Sequence, residues 1–252
     1  MKRYLYCYQT SICFSTPIKD HALLLRCQPA RAAYMNVEEE HLVIPSSMKI
    51  TSAIDAMGNR IVYGNNNELH SSLAYVSTGI VSMEDYTETD GPVPLAAFRQ
   101  PTPLTAVPDS LSPNATGHAI ADAEAICHHV HEQMTYKKGV TTIDTPASKV
   151  AASMEGVCQD YAHLMIGLCH NCGITARYAC GLLEGEGETH AWVEVHDGFG
   201  WKGFDPTHDC RINYGYLKIA HGRNAADCPV SRGLYVGNAN EQTQVSVMLK
   251  EI

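Results

Sequence analysis

The chain has 252 residues, 45% apolar and 18% charged, a composition that excludes wholesale disorder and allows one large domain or two small ones. Its formal charge of −9 excludes nucleic acid as the main partner, because phosphate binding needs a basic surface. No run of about 18 apolar residues occurs, so no membrane-spanning helix is expected. Met1 to Tyr8 alternate aromatic and polar groups without an apolar h-region, which reads as a strand and not as a signal peptide. Ten cysteines, most among apolar neighbours, read as reduced and mostly buried side chains of a cytoplasmic protein, with Cys158 the exception.

Through residues 1–83, short alternating segments such as Ala22 to Cys27 and His41 to Pro45 are separated by turn signals at Met57-Gly58-Asn59 and Gly64 to Asn67. This pattern predicts a mostly-β domain of about seven short strands within residues 1–100. Pro92, Pro94, Pro101, Pro103, Pro108 and Pro113 exclude regular helix or central strand, and residues 101–115 read as a linker.

Beyond it, Ile120, Ala123, Ile126, Val130 and Met134 form one helical stripe. Thr145-Pro146 reads as the N-cap and first position of a short helix ending near Gly156. A third helix runs from Cys158 through Tyr161, Leu164, Met165 and Leu168 to a stop at Gly173. Residues 176–180 and 190–196 then alternate as strands, and Asp197-Gly198 turns the chain back along Trp201 to Asp205. Residues 116–252 therefore read as α+β, with helices packed on an antiparallel sheet.

Three residues in this half carry a chemistry. Cys158 stands in the first turn of its helix, where free N–H groups and partial positive charge favour a thiolate and an oxyanion. His190 opens a strand, and the returning strand brings Asp205 beside it, within reach of a carboxylate–imidazole bond. Cys158, His190 and Asp205 are thus the candidate nucleophile, base and orienting acid.

Gly-Val-Cys-Gln-Asp-Tyr-Ala-His-Leu at 156–164, Thr-His-Ala-Trp-Val-Glu-Val at 189–195 and Phe-Asp-Pro-Thr-His at 204–208 resemble the bacterial transglutaminase-like proteins assigned as candidate cysteine proteases. Residues 173–178 and 222–227 fit the same pattern, and Asp55 to Arg60 resembles a turn in that family's N-terminal β domain. The resemblance implies a papain-like domain and a Cys-His-Asp triad at Cys158, His190 and Asp205. Asn224 and Ala225 depart from the acidic and aromatic residues expected there.

The expected function is acyl transfer on a peptide or protein amide through a thioester, most simply hydrolysis. Amine transfer and a non-catalytic scaffold are the alternatives. Trp192, Tyr136, Gln159 and Tyr161 are the candidate substrate contacts, and self-association stays open. No cofactor or metal is expected. Cys127-His128-His129 with His131, and Cys169-His170-Asn171-Cys172, read as structural, and the acidic Glu184 to Glu188 stretch as a mobile flap before His190. His196 lies too far along its strand to serve Cys158.

Overall fold

A computed structural model of the chain describes residues 1–252. The first half builds five strands where about seven were expected: β1 (Lys2–Leu25), β2 (Met35–Val43), β3 (Lys49–Ile54), β4 (Arg60–Asn66) and β5 (His70–Met83). The difference comes from β1, which is 24 residues long. Tyr4, Tyr6, Tyr8, Thr10, Ile12 and Phe14 alternate into the core, the period of a strand with one covered face. Pro17 does not end the strand, because the pairing with β5 slips between Cys13 and Ile18, and such an irregularity tolerates a missing N–H. Past that corner, β1 leaves β5 and pairs with β4.

In the second half follow α1 (Ala119–Gln133), β6 (Thr135–Tyr136), α2 (Ala147–Ser153), β7 (Glu155–Gly156) and α3 (Cys158–Asn171). Then come β8 (Ala176–Leu183), β9 (Gly185–Gly187), β10 (His190–His196), β11 (Trp201–Asp205), β12 (Cys210–Arg211) and β13 (Tyr216–Gly222). The last strands are β14 (Ser231–Val236) and β15 (Glu241–Glu251). An antiparallel sheet in the order β12-β11-β10-β8-β13 underlies the helices, the α+β arrangement expected. α3 is more central than its stripe implied: every residue from Asp160 to Cys169 is buried, so it is covered on all sides. The short α2 begins at Ala147 with Pro146 outside it. Thr145 does not cap it; its hydroxyl accepts the N–H of Thr142.

Two expected boundaries are corrected. Residues 231–251 do not belong with the helical half but pair with β1, β14 on its second half and β15 on its first. The chain's end therefore completes the sheet begun by its start. The proline-rich stretch 101–115 is not a free linker. Thr102 and Thr105 are buried, and a Cβ on Gly167 of α3 would lie 2.2 Å from the Thr105 carbonyl. Only glycine allows that approach.

The two halves are joined by polar contacts. Asn59, in the turn at 55–60, donates to the His221 carbonyl and accepts its N–H on β13, at 2.8 and 2.9 Å. Tyr34 donates to the Tyr216 carbonyl at 2.9 Å. Tyr86 donates to Glu194 at 2.6 Å and accepts from the Trp192 indole at 2.8 Å. Beneath β10, the fully buried Glu194 carboxylate meets Arg177 at 2.6 Å and Lys218 at 2.8 Å. Burial opposes its ionisation, but these two cations hold it ionised.

One buried histidine sets a pH dependence. His163 is wholly buried and its Nε2 accepts the Ala225 N–H at 3.0 Å, so the ring is neutral. Burial pushes its pKa down from 6.5 to about 4. The unfolded chain therefore takes the proton first as pH falls. The stabilisation is complete above about pH 6.5 and declines toward pH 4, by ~3 kcal/mol at most from this residue. Urea midpoints at pH 7 and pH 5 are expected to differ more in the wild type than in His163→Gln. An equal difference would contradict the assignment.

Candidate active site

Cys158 is the first residue of α3. The helix entry is fixed by Asp160, whose Oδ2 accepts the Val157 N–H at 2.8 Å and the Thr141 hydroxyl at 2.6 Å. That carboxylate closes the first turn, and helix geometry leaves the N–H groups of Cys158 and Gln159 without intrahelical acceptors. Parallel pairing of β6 with β7 aligns the residues just before the cysteine. Gly156 is required there: a Cβ would lie 2.6 Å from the Asp160 Cβ. Gly156→Ala is expected to cost about 1–3 kcal/mol by overpacking and to slow alkylation of Cys158. Chemical denaturation and a labelling time course check both effects.

His190 Nε2 donates to Asp205 Oδ2 at 2.7 Å, leaving Nδ1 for the sulfur side. The register pairs Val193 with Phe204, so Asp205 faces the Trp192 position. The His190–Asp205 contact is diagonal, not directly across, and still lies within side-chain reach. Asp205 is fully buried and His190 is 9% exposed.

Two residues that the sequence did not mark share the same carboxylate oxygen. His208 Nδ1 and the Tyr216 hydroxyl each donate to Asp205 Oδ2 at 2.7 Å. The other oxygen accepts the Thr207 N–H at 2.8 Å. Burial opposes ionisation of Asp205, but the donors from His190 and His208 hold its carboxyl far below the usual range. Burial likewise works against charge on His190. The bond to Asp205 and the neighbouring Cys158 outweigh it and push the imidazole up to about 10. An imidazolium is therefore the resting form at neutral pH.

Cys158 and His190 line one cleft of about 590 Å³, within the range of small-ligand sites. Tyr136, Asp144 and Gln159 form one wall, Glu184 and residues 186–189 of the flap a second, and Ala225, Val230, Arg232 and Val247 a third. Ala225, where an aromatic residue was expected, leaves that wall open. Asn224 lies behind it, donating to the Thr102 hydroxyl at 2.9 Å.

Of the expected substrate contacts, Tyr136 and Gln159 line the cleft, and Tyr161 and Trp192 do not. Tyr161 is buried behind Tyr136, with ring centroids 6.2 Å apart. Trp192 is wholly buried, its indole N–H committed to Tyr86. Strand parity puts Trp192 on the same face as His190, but Tyr86 from the first half covers that face. The flap is not a loose loop, since its β9 segment pairs with β15.

The remaining histidines have local tasks. His128 bonds Asp209 at 2.7 Å and His131 the Thr207 carbonyl at 3.1 Å, docking the segment after Asp205 on α1. His196 pairs with Asp90 at 3.0 Å. Ligand atoms of His190, Asp205 and His208 lie within 4.8 Å of one another, but hydrogen bonds already join them, so a cation there would have to displace both imidazole protons. All ten cysteines are free thiols.

A Mycobacterium tuberculosis protein, itself uncharacterised, is 34% identical over 139 residues, covering 48% of this chain and 44% of the relative. The chain thus spans under half of that relative's length. An uncharacterised Mycobacterium leprae protein is 26% identical over 228 residues, covering 79% of this chain and 81% of its own. The crystal structure of a candidate cysteine protease from Cytophaga hutchinsonii superposes with a TM-score of 0.80, covering 100% of this chain and 91% of the other. At 23% identity, that likeness establishes a common fold. Residues 107–206, which include Cys158, His190 and Asp205, match the Transglutaminase-like superfamily.

Proposed function

We propose that this protein is a cysteine-dependent hydrolase of peptide or amide bonds, with Cys158 as nucleophile, His190 as base and acid, and Asp205 orienting the imidazole. The observation that carries this reading is the 2.7 Å His190–Asp205 bond in a cleft shared with Cys158. His190 Nδ1 holds the proton taken from the Cys158 thiol. The thiolate adds to the amide carbonyl, and the Cys158 N–H donates to the resulting oxyanion. The C–N bond then breaks as the imidazolium gives its proton to the departing amine, leaving an acyl-thioester. Water, deprotonated by His190, cleaves the thioester and restores the thiol.

Transfer to an amine is the second reading, favoured by the acidic rim of the cleft, which gathers cationic amines. Free thiols at all ten cysteines suit a reducing, cytoplasmic setting, and no helix is long and apolar enough to cross a membrane. The test is a screen of peptide amides with intact-mass spectrometry on any substrate turned over. A single acyl adduct on Cys158 is expected, absent in Cys158→Ala. Turnover without any adduct would contradict the mechanism. Including a primary amine separates the two readings, since an amidated product means transfer.

A further inference from the structure

We infer that the cleft takes an extended, cationic peptide segment whose backbone joins β9 as an additional strand, a substrate class that rests on the acyl-transfer reading above. β9 is the terminal strand of its sheet. Gly185, Glu186 and Gly187 pair with Leu249, Met248 and Val247 of β15 on one side, and no strand lies on the other. An edge of this kind presents N–H and C=O groups without ladder partners. Its approach is bare, because residues 185–188 are exposed and a Cβ at Gly185 or Gly187 would meet nothing within 4 Å.

The position of this edge gives it a use. Glu186, Gly187, Glu188 and Thr189 line the same cleft as Cys158 and His190, and the chain passes from β9 into β10 at His190. A peptide laid along β9 is therefore led toward the sulfur. Main-chain pairing of this type supplies affinity that depends little on sequence, and flanking pockets add selectivity.

Charge defines that selectivity. Four carboxylates, Asp144, Glu184, Glu186 and Glu188, line the cleft against Lys138, Arg232 and the His190 imidazolium, which sits beside Cys158. Lys138 is already committed to Glu188 at 3.0 Å. Asp144, Glu184 and Glu186 have no ion-pair partner, so lysine or arginine side chains next to the paired segment find open acceptors. The net charge of −9 reinforces attraction of a cationic segment at longer range.

The probe is an acetylated, amidated nonapeptide of alternating lysine and glutamine, titrated by fluorescence anisotropy into Cys158→Ala at low salt. Two analogues carry N-methyl groups on alternate amides, one in each register, and a third has glutamate for lysine. Because alternate residues of an added strand face the edge, one methylated register is expected to bind at least about tenfold more weakly and the other within about threefold. The glutamate analogue is expected to lose at least about tenfold. In the wild type, the lysine peptide should slow iodoacetamide labelling of Cys158 with the same register dependence, a readout that holds if Cys158→Ala folds poorly. Equal effects of the two registers, undiminished binding of the glutamate peptide, or no binding of the lysine peptide each overturn the proposal. Register-dependent binding beside an unreactive Cys158 would remove the chemistry and leave the docking. A reactive Cys158 without such binding would do the reverse.

Discussion

Asp205→Asn is expected to lower kcat by on the order of 10⁴, the loss expected when a triad carboxylate no longer sets the imidazole tautomer. The geometry explains why an amide cannot substitute. One oxygen of Asp205 accepts from His190, His208 and Tyr216, and the other from the Thr207 N–H. An asparagine offers one acceptor and one donor to these converging donors, so at least one contact becomes donor against donor. The pH profile should change as well. With Asp205 present, His190 stays protonated to about pH 10, and activity that needs the imidazolium declines only near that pH. Without the carboxylate, that limb moves down toward the ordinary histidine value of about 6.5. A pH–rate profile of the two proteins checks the direction. An unmoved limb would mean that another group orients His190.

Glu194→Gln should give the largest loss of stability, about 3–5 kcal/mol, by leaving Arg177 buried without its counter-charge and Lys218 with only the Glu88 carboxylate at 4.0 Å. Arg177 and Lys218 are each only 1% exposed, and Glu194 is fully buried. Arg177 also stacks at 3.9 Å over the Trp201 ring, so it cannot swing out to water without unpacking that face. Replacing Glu194, Arg177 and Lys218 together with methionine should recover part of the loss, because of this cluster only Glu88, which pairs with Lys218 at 4.0 Å, then lacks its partner. Urea denaturation of the two variants measures both effects. A Glu194→Gln midpoint close to wild type would show that water reaches this cluster. Tyr86 links the cluster to the first half through its bond to Glu194, which gives the β half a direct structural part beneath the catalytic strand.

The candidate triad was legible because each member sits in a short segment whose periodicity and chemistry agree. Cys158 stands two residues after a glycine at a helix start, His190 opens a strand, and Asp205 precedes a proline that ends one. What supports them was hidden, because it is not local. Tyr216 lies 11 residues beyond Asp205 and looks like any strand aromatic, and His208 like an exposed loop histidine. Strand alternation puts Trp192 on the His190 face, but nothing local reveals that Tyr86 covers that face. Strand counting suffered in the same way. Pro17 suggests a break where a register slip lets β1 continue, and residues 231–251 pair with β1, more than 200 positions earlier. Pairing so remote leaves no trace in a window of a few residues.

The most direct test of the account is the pH dependence of iodoacetamide labelling at each cysteine, read by peptide mass spectrometry in wild type and His190→Ala. The account predicts that Cys158 reacts far faster than the other nine cysteines below pH 7, and that His190→Ala removes this advantage. If Cys158 labels no faster than the rest, no thiolate–imidazolium pair exists. The domain would then be a binding scaffold and not an enzyme.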